Sequence, residues 1–159
     1  MTPATPTRHR NDPNVIRDLL VTPATWAVVG LGDNPDRTAW GVSLWLQREL
    51  GMRLVPIHPS AARVHGSVGY ASLAEVPDGV EVAVVDFFVR NDRVGALVDQ
   101  AIEQRDRLGV RALWLQLGVI DEAAAARAED AGLSVVMDTC PKIEYPRLQP
   151  GEVSSAVTD

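Results

Sequence analysis

Apolar residues along the chain fall into two alternating patterns. Short runs at 26–30 (Trp-Ala-Val-Val-Gly), 53–57 (Arg-Leu-Val-Pro-Ile), 82–88, 112–117 and 133–137 are almost unbroken and of strand length. Between them lie stretches with helical period. The first opens at Asp12-Pro13, where Asp12 suits a cap, Pro13 suits a first turn, and Val15, Ile16, Leu19 and Leu20 form one stripe. Residues 40–50 read as a second helix, closed by Gly51. Val94, Leu97, Val98, Ala101 and Ile102 recur at the three- and four-residue steps of a third, with Gly109 after it. Asp121 caps an alanine-rich fourth helix that Gly132 closes. The loop before the third strand is rich in small residues, with Tyr70, Leu73 and Val76 as its apolar anchors.

Strands with no polar face, alternating with helices, predict a parallel sheet covered on both sides. Right-handed crossovers then give an α/β domain, a Rossmann-like doubly wound sheet of five mainly parallel strands with helices on both faces. The expected domain spans 12–148, with flexible tails at 1–11 and 149–159. The opening MTPATPTRHRNDP has no apolar stretch behind its charges, so it reads as neither a signal peptide nor a membrane span. No later run approaches the ~20 apolar residues of a transmembrane helix. The expectation is a cytoplasmic protein without a membrane partner.

Charge and cysteine content narrow this further. The 159 residues carry 21 acidic and 15 basic side chains, a formal net charge of −6. A phosphate-backbone binder needs a broad basic surface, so no nucleic-acid partner is expected. One cysteine, Cys140, excludes an intrachain disulfide framework and a multi-cysteine metal site, and no metal is expected. Lys142 is the sole lysine, the other basic residues being arginines. Arginine contacts phosphate in bidentate fashion, but a bias in composition explains the skew equally well.

In a sheet of this kind ligands bind beyond the carboxyl ends of the strands. Those loops are residues 30–38, 58–63, 88–91, 116–120 and 138–142. The first, Gly30-Leu31-Gly32-Asp33-Asn34-Pro35, begins like a dinucleotide fingerprint but has Pro35 where a third glycine belongs. The second strand ends at His58, not at the acid that would hold an NAD ribose, and no Gly-Lys-Ser/Thr is present. What survives is a turn whose glycines let a phosphate approach a helix N-terminus, with Arg37 adding a charge. The alternative is a turn whose glycines serve packing alone.

Several loop motifs occur together in order: Val29-Gly30-Leu31 with Asn34-Pro35-Asp36-Arg37; Pro56-x-x-Pro59; the run 69–77 (Gly-Tyr-Ala-Ser-Leu-Ala-Glu-Val-Pro); Val85-Asp86 with Phe88; the run 114–119 (Trp-Leu-Gln-Leu-Gly-Val); and Val136-Met137-Asp138 followed by the run 140–144 (Cys-Pro-Lys-Ile-Glu). With these, the chain from about residue 26 to 148 resembles the single-domain CoA-binding proteins of bacteria. Their fold is like the CoA-binding domain of the succinyl-CoA synthetase α subunit. The resemblance implies coenzyme A, or an acyl-CoA, as ligand. Gly30, Leu31, Gly32 and Asp33, with Arg37 and Thr38, would meet the phosphates. His58 and Pro59 on one side, and Phe88, Val89 and Arg90 on the other, would flank the nucleotide. Leu117 and Gly118 would lie beside the pantetheine arm, with Cys140 near the cleft.

The sequence departs from the family pattern at polar loop positions. Gly32 and Ala39 stand where serines are usual, His58 where asparagine is, Val89 where arginine is (Arg90 follows one residue late), and Thr139 where arginine is. The expected activity is a CoA-binding module with no catalytic step of its own. Alternatives are an acyl- or thiol-transfer enzyme using Cys140, or a CoA-sensing regulator acting through a protein partner; a homo-oligomer is also left open. Catalysis by Cys140 would need a base such as His58 or His65 beside it and a depressed thiol pKa. A packed structural thiol is the other reading. Asp86, at the end of the third strand, suits either a ligand contact or a turn cap.

Overall fold

Strands with no polar face must be covered on both sides, and here they are. A computed structural model describes residues 8–148. Its strands β1 (Thr25–Val29), β2 (Arg53–Ile57), β3 (Val84–Phe87), β4 (Ala112–Leu115) and β5 (Ser134–Met137) form one sheet in the order β2-β1-β3-β4-β5. Every pairing is parallel. The helices are α1 (Pro13–Val21), α2 (Thr38–Leu50), α3 (Asn91–Leu108), α4 (Glu122–Asp130) and the short α5 (Pro141–Glu144).

Alternation along each strand divides the core in two. Ala27, Val29, Val85, Phe87, Leu113 and Leu115 pack with Val94, Val98 and Ala101 of α3 and Ala124 and Ala128 of α4. Trp26, Val28, Val84, Trp114 and Val136 pack with Leu19 and Leu20 of α1 and Val42 and Leu46 of α2. Trp26 and Trp114 meet in the second layer with ring centroids 5.7 Å apart. The fold is therefore the expected Rossmann-like α/β domain, its sheet wholly parallel.

Local signals place most of the boundaries. Asp12 accepts a hydrogen bond from the Asn14 N–H (2.8 Å), and Asp121 accepts one from Ala124 (3.0 Å). The third and fourth strands are shorter than their apolar runs. Val82 is buried but bonds outside the ladder, to the Leu108 carbonyl, and after Gln116 the chain turns through Gly118 at φ 83°. Helix α5 and the 3₁₀ turns Leu73–Glu75 and Tyr145–Arg147 are too short to leave a periodic signature.

Two residues of the expected N-terminal tail, His9 and Asn11, are bonded to the domain. Asn11 pairs with the backbone of Met137, donating to its carbonyl (2.9 Å) and accepting from its N–H (2.8 Å). The His9 N–H donates to Glu122 on α4. This segment satisfies backbone groups on the open edge of β5, which otherwise lack a strand partner. The rest of the two expected tails, residues 1–7 and 149–159, lies outside the described residues. Among the described residues no helix is long and apolar enough to cross a membrane.

Candidate functional site

Strand β1 lies between β2 and β3, so the chain leaves it in one direction and then crosses back in the other. That reversal opens a crevice above the carboxyl ends of β1 and β3. A cleft of about 1060 Å³ occupies it, and the loops after all five strands line it.

Two glycines shape its floor. Gly30 has φ 98°, and a Cβ there would stand 2.3 Å from the Phe88 carbonyl oxygen. Only glycine lets the exits of β1 and β3 approach this closely. At Gly32 a Cβ would press on the His58 ring at 3.2–3.4 Å. The His58 ring thus occupies the space that a side chain at position 32 would need. The ring is further held by Ser60, whose Oγ lies 2.8 Å from Nδ1.

The N-termini of the four longer helices fall into two groups. Asp12 and Asp121 cap α1 and α4. Helices α2 and α3 begin at Arg37 and Arg90 with no side-chain cap, and both of these residues line the cleft. Uncapped first-turn N–H groups carry partial positive charge and need acceptors. Arg37, Arg90 and Arg93 add full charges around them, against one lining acid, Asp33. The Arg90 side chain is 82% exposed and its guanidinium pairs with Asp92 at 3.2 Å, a surface pair that binds it weakly.

Beneath the cleft sits an unusual acid. Asp86 is fully buried; its Oδ1 accepts from Gln116 Nε2 at 2.8 Å, and its Oδ2 has no partner among the described residues. Burial pushes its pKa from 3.8 to about 8, against the hydrogen bonds from Gln116 and the Phe87 backbone, which favour the ionised form. Asp86 is neither a solvent-facing ligand contact nor a turn cap. It anchors Gln116, which does line the cleft.

Cys140 lines the cleft at the start of α5 and is half-buried. Burial pushes its thiol pKa up, offset only in part by the N–H groups of Lys142 and Ile143. A nucleophilic thiol needs the opposite shift. Neither histidine is hydrogen-bonded to it. His58 is engaged with Ser60, and His65 Nε2 faces the Trp40 carbonyl (2.9 Å) and Ser43 (3.1 Å) away from the cleft lining.

Of the residues expected at the site, Gly30, Gly32, Asp33, Arg37, Thr38, His58, Pro59, Phe88, Val89, Arg90, Leu117 and Cys140 all line the cleft. Leu31 and Gly118 do not. The Leu31 side chain is wholly buried in the α1–α2 core layer, and the Gly118 N–H is taken by Asp138 at 2.8 Å. Arg93, Leu97 and Gln100 join the lining from one edge of α3. Their spacing of four and three marks a helix face, the signal that would have found them. Asn34, Gln116 and Val119 line it from the loops expected to border the ligand, although they were not named as site residues, and Ser72 and Ile143 line it from outside those loops.

A wholly parallel doubly wound sheet with an electropositive cleft at its switch point defines a Rossmann-like domain built to hold a ligand over its strand ends. The chain belongs to the CoA binding domain family, whose profile matches residues 24–146. It is 28% identical over 130 residues to the protein YneT of Bacillus subtilis (strain 168), covering 82% of this chain and 91% of YneT. A solved structure of a hypothetical protein from Pyrococcus horikoshii OT3 is 30% identical, with a TM-score of 0.76 over 93% of this chain and 99% of that one. Another, cell-free ID.343 from Thermus thermophilus, is 27% identical, with a TM-score of 0.73 over 87% of this chain and 99% of that one.

Proposed function

We propose that the protein is a small cytoplasmic module that binds coenzyme A or an acyl-CoA across the carboxyl ends of its strands, with no catalytic step of its own. One observation carries the reading: α2 and α3, the two long helices that start at the cleft, have no side-chain cap, and each start bears an arginine. Helix N–H groups reserved for an outside acceptor, with guanidinium groups beside them, suit a diphosphate. Family membership supplies the rest of the ligand's identity.

In this reading Arg37 and the first turn of α2 take the diphosphate, His58 and Pro59 flank the nucleotide with Phe88 and Arg90, and Leu117 borders the pantetheine arm. A net charge of −6 is no obstacle, since the cations gather where the anion sits. NAD is a poor fit, because His58 stands where an acid would hold its ribose.

Isothermal titration with CoA, dephospho-CoA and NAD tests this. CoA should bind, NAD should bind at least about tenfold more weakly, and Arg37→Ala should weaken CoA about tenfold, as expected for losing one charge-assisted phosphate contact. No heat with any CoA species at millimolar concentration contradicts the reading.

A further inference from the structure

The charged side chains of the cleft lining are confined to one part of the sheet. Its formally charged side chains, Asp33, Arg37, Arg90 and Arg93, all follow β1 or β3. The loops after β4 and β5 contribute only Gln116, Leu117, Val119, Cys140 and Ile143. Strands lie ~4.8 Å apart, so the strand order places this uncharged end roughly 10–14 Å from β1.

That end is also where hydrocarbon is left uncovered. Leu117 is 62% exposed and Ile143 36%, two of the five large hydrophobic residues exposed among the described residues and the two of them that line the cleft. The nearby charges are turned to other uses. The Asp138 carboxylate accepts from the Gly118 N–H, and Glu144 accepts from Thr139 and Arg147. Lys142 is exposed and does not line the cleft. Below, burial favours the neutral forms of both Asp86 and Cys140.

We propose that the β4–β5 end of the cleft is a subsite for the hydrocarbon of an acyl thioester, with Leu117 and Ile143 as its two lips, so that the protein prefers acyl-CoA to free CoA. The inference rests on the CoA reading above and adds the substrate class. An anion at one end and an apolar chain at the other match the two halves of this single cleft. The exposed Leu117 and Ile143 side chains on the lining gain a partner when the ligand carries such a chain.

Calorimetric titration of CoA, acetyl-CoA, butyryl-CoA and hexanoyl-CoA into the full chain tests it. A fully buried methylene is worth about fourfold in affinity; on an open lip about twofold is expected, so hexanoyl-CoA should bind at least about tenfold tighter than acetyl-CoA. Leu117→Ser and Ile143→Ser should pull that ratio towards one, with thermal melts showing both variants folded. Equal affinity for CoA and all three thioesters overturns the subsite while leaving CoA binding intact. A chain-length preference that neither variant reduces overturns its placement between these lips. Failure of CoA and every thioester to bind removes the parent reading and the subsite with it.

Discussion

Asp86 is the residue whose chemistry the sequence conceals most. An aspartate ending a strand looks solvent-facing, yet register with Val28 and Trp114 turns it into the α1–α2 core layer. Its folded-state pKa of about 8 against an unfolded 3.8 means that folding takes up a proton between those values. The unfolded chain then binds fewer protons than the native one, so stability falls as pH rises from about 4 to 8 and levels off above. Asp86→Asn should remove most of that slope, since an amide oxygen still accepts from Gln116. Urea midpoints at pH 5 and pH 8 for the two proteins check this, and equal slopes would rule it out. The arginine skew likewise resolves only residue by residue. Arg107 donates to the Val76 (2.6 Å) and Leu73 (3.0 Å) carbonyls, tying α3 to the loop before β3, and Arg127 grips Asp99 across α4 and α3. Others, at 37, 90 and 93, line the cleft.

At the scale of elements, capping separates structural helices from those open to a ligand. Asp12 and Asp121 were legible as caps because an aspartate before a periodic segment has a local mechanism. The absence of a cap at Arg37 and Arg90 was equally present in the sequence, but it acquires meaning only when topology puts both helix starts on one cleft. Asp12→Ala and Asp121→Ala should each cost about 1 kcal/mol in urea unfolding, with CoA affinity unchanged. Arg37→Asp should do the reverse. It supplies α2 with the missing cap, so stability holds or rises, while a carboxylate in place of the guanidinium should abolish CoA binding. Wild-type affinity in Arg37→Asp would contradict the anion role of this helix start. The coupling of Gly32 to His58 was not legible, because residues 26 positions apart meet only through the β1–β2 pairing.

For the whole molecule, order and type of elements followed from hydrophobic patterning, because a doubly covered parallel sheet leaves unbroken apolar runs that few other folds produce. The cleft followed from topology, and most of its expected residues line it. What escaped was everything set by side-chain direction: Leu31 turned inward, α3 turned its 93, 97 and 100 edge outward, and Asn11 docked on Met137. In the proposed complex CoA lies over the strand ends with its diphosphate at the start of α2. A crystal structure of the protein with CoA tests it most directly. Diphosphate oxygens should lie within hydrogen-bond reach of the first-turn N–H groups of α2 and the Arg37 guanidinium, with the pantetheine arm running towards Leu117. A CoA bound elsewhere on the molecule, or an empty cleft at millimolar CoA, would contradict it.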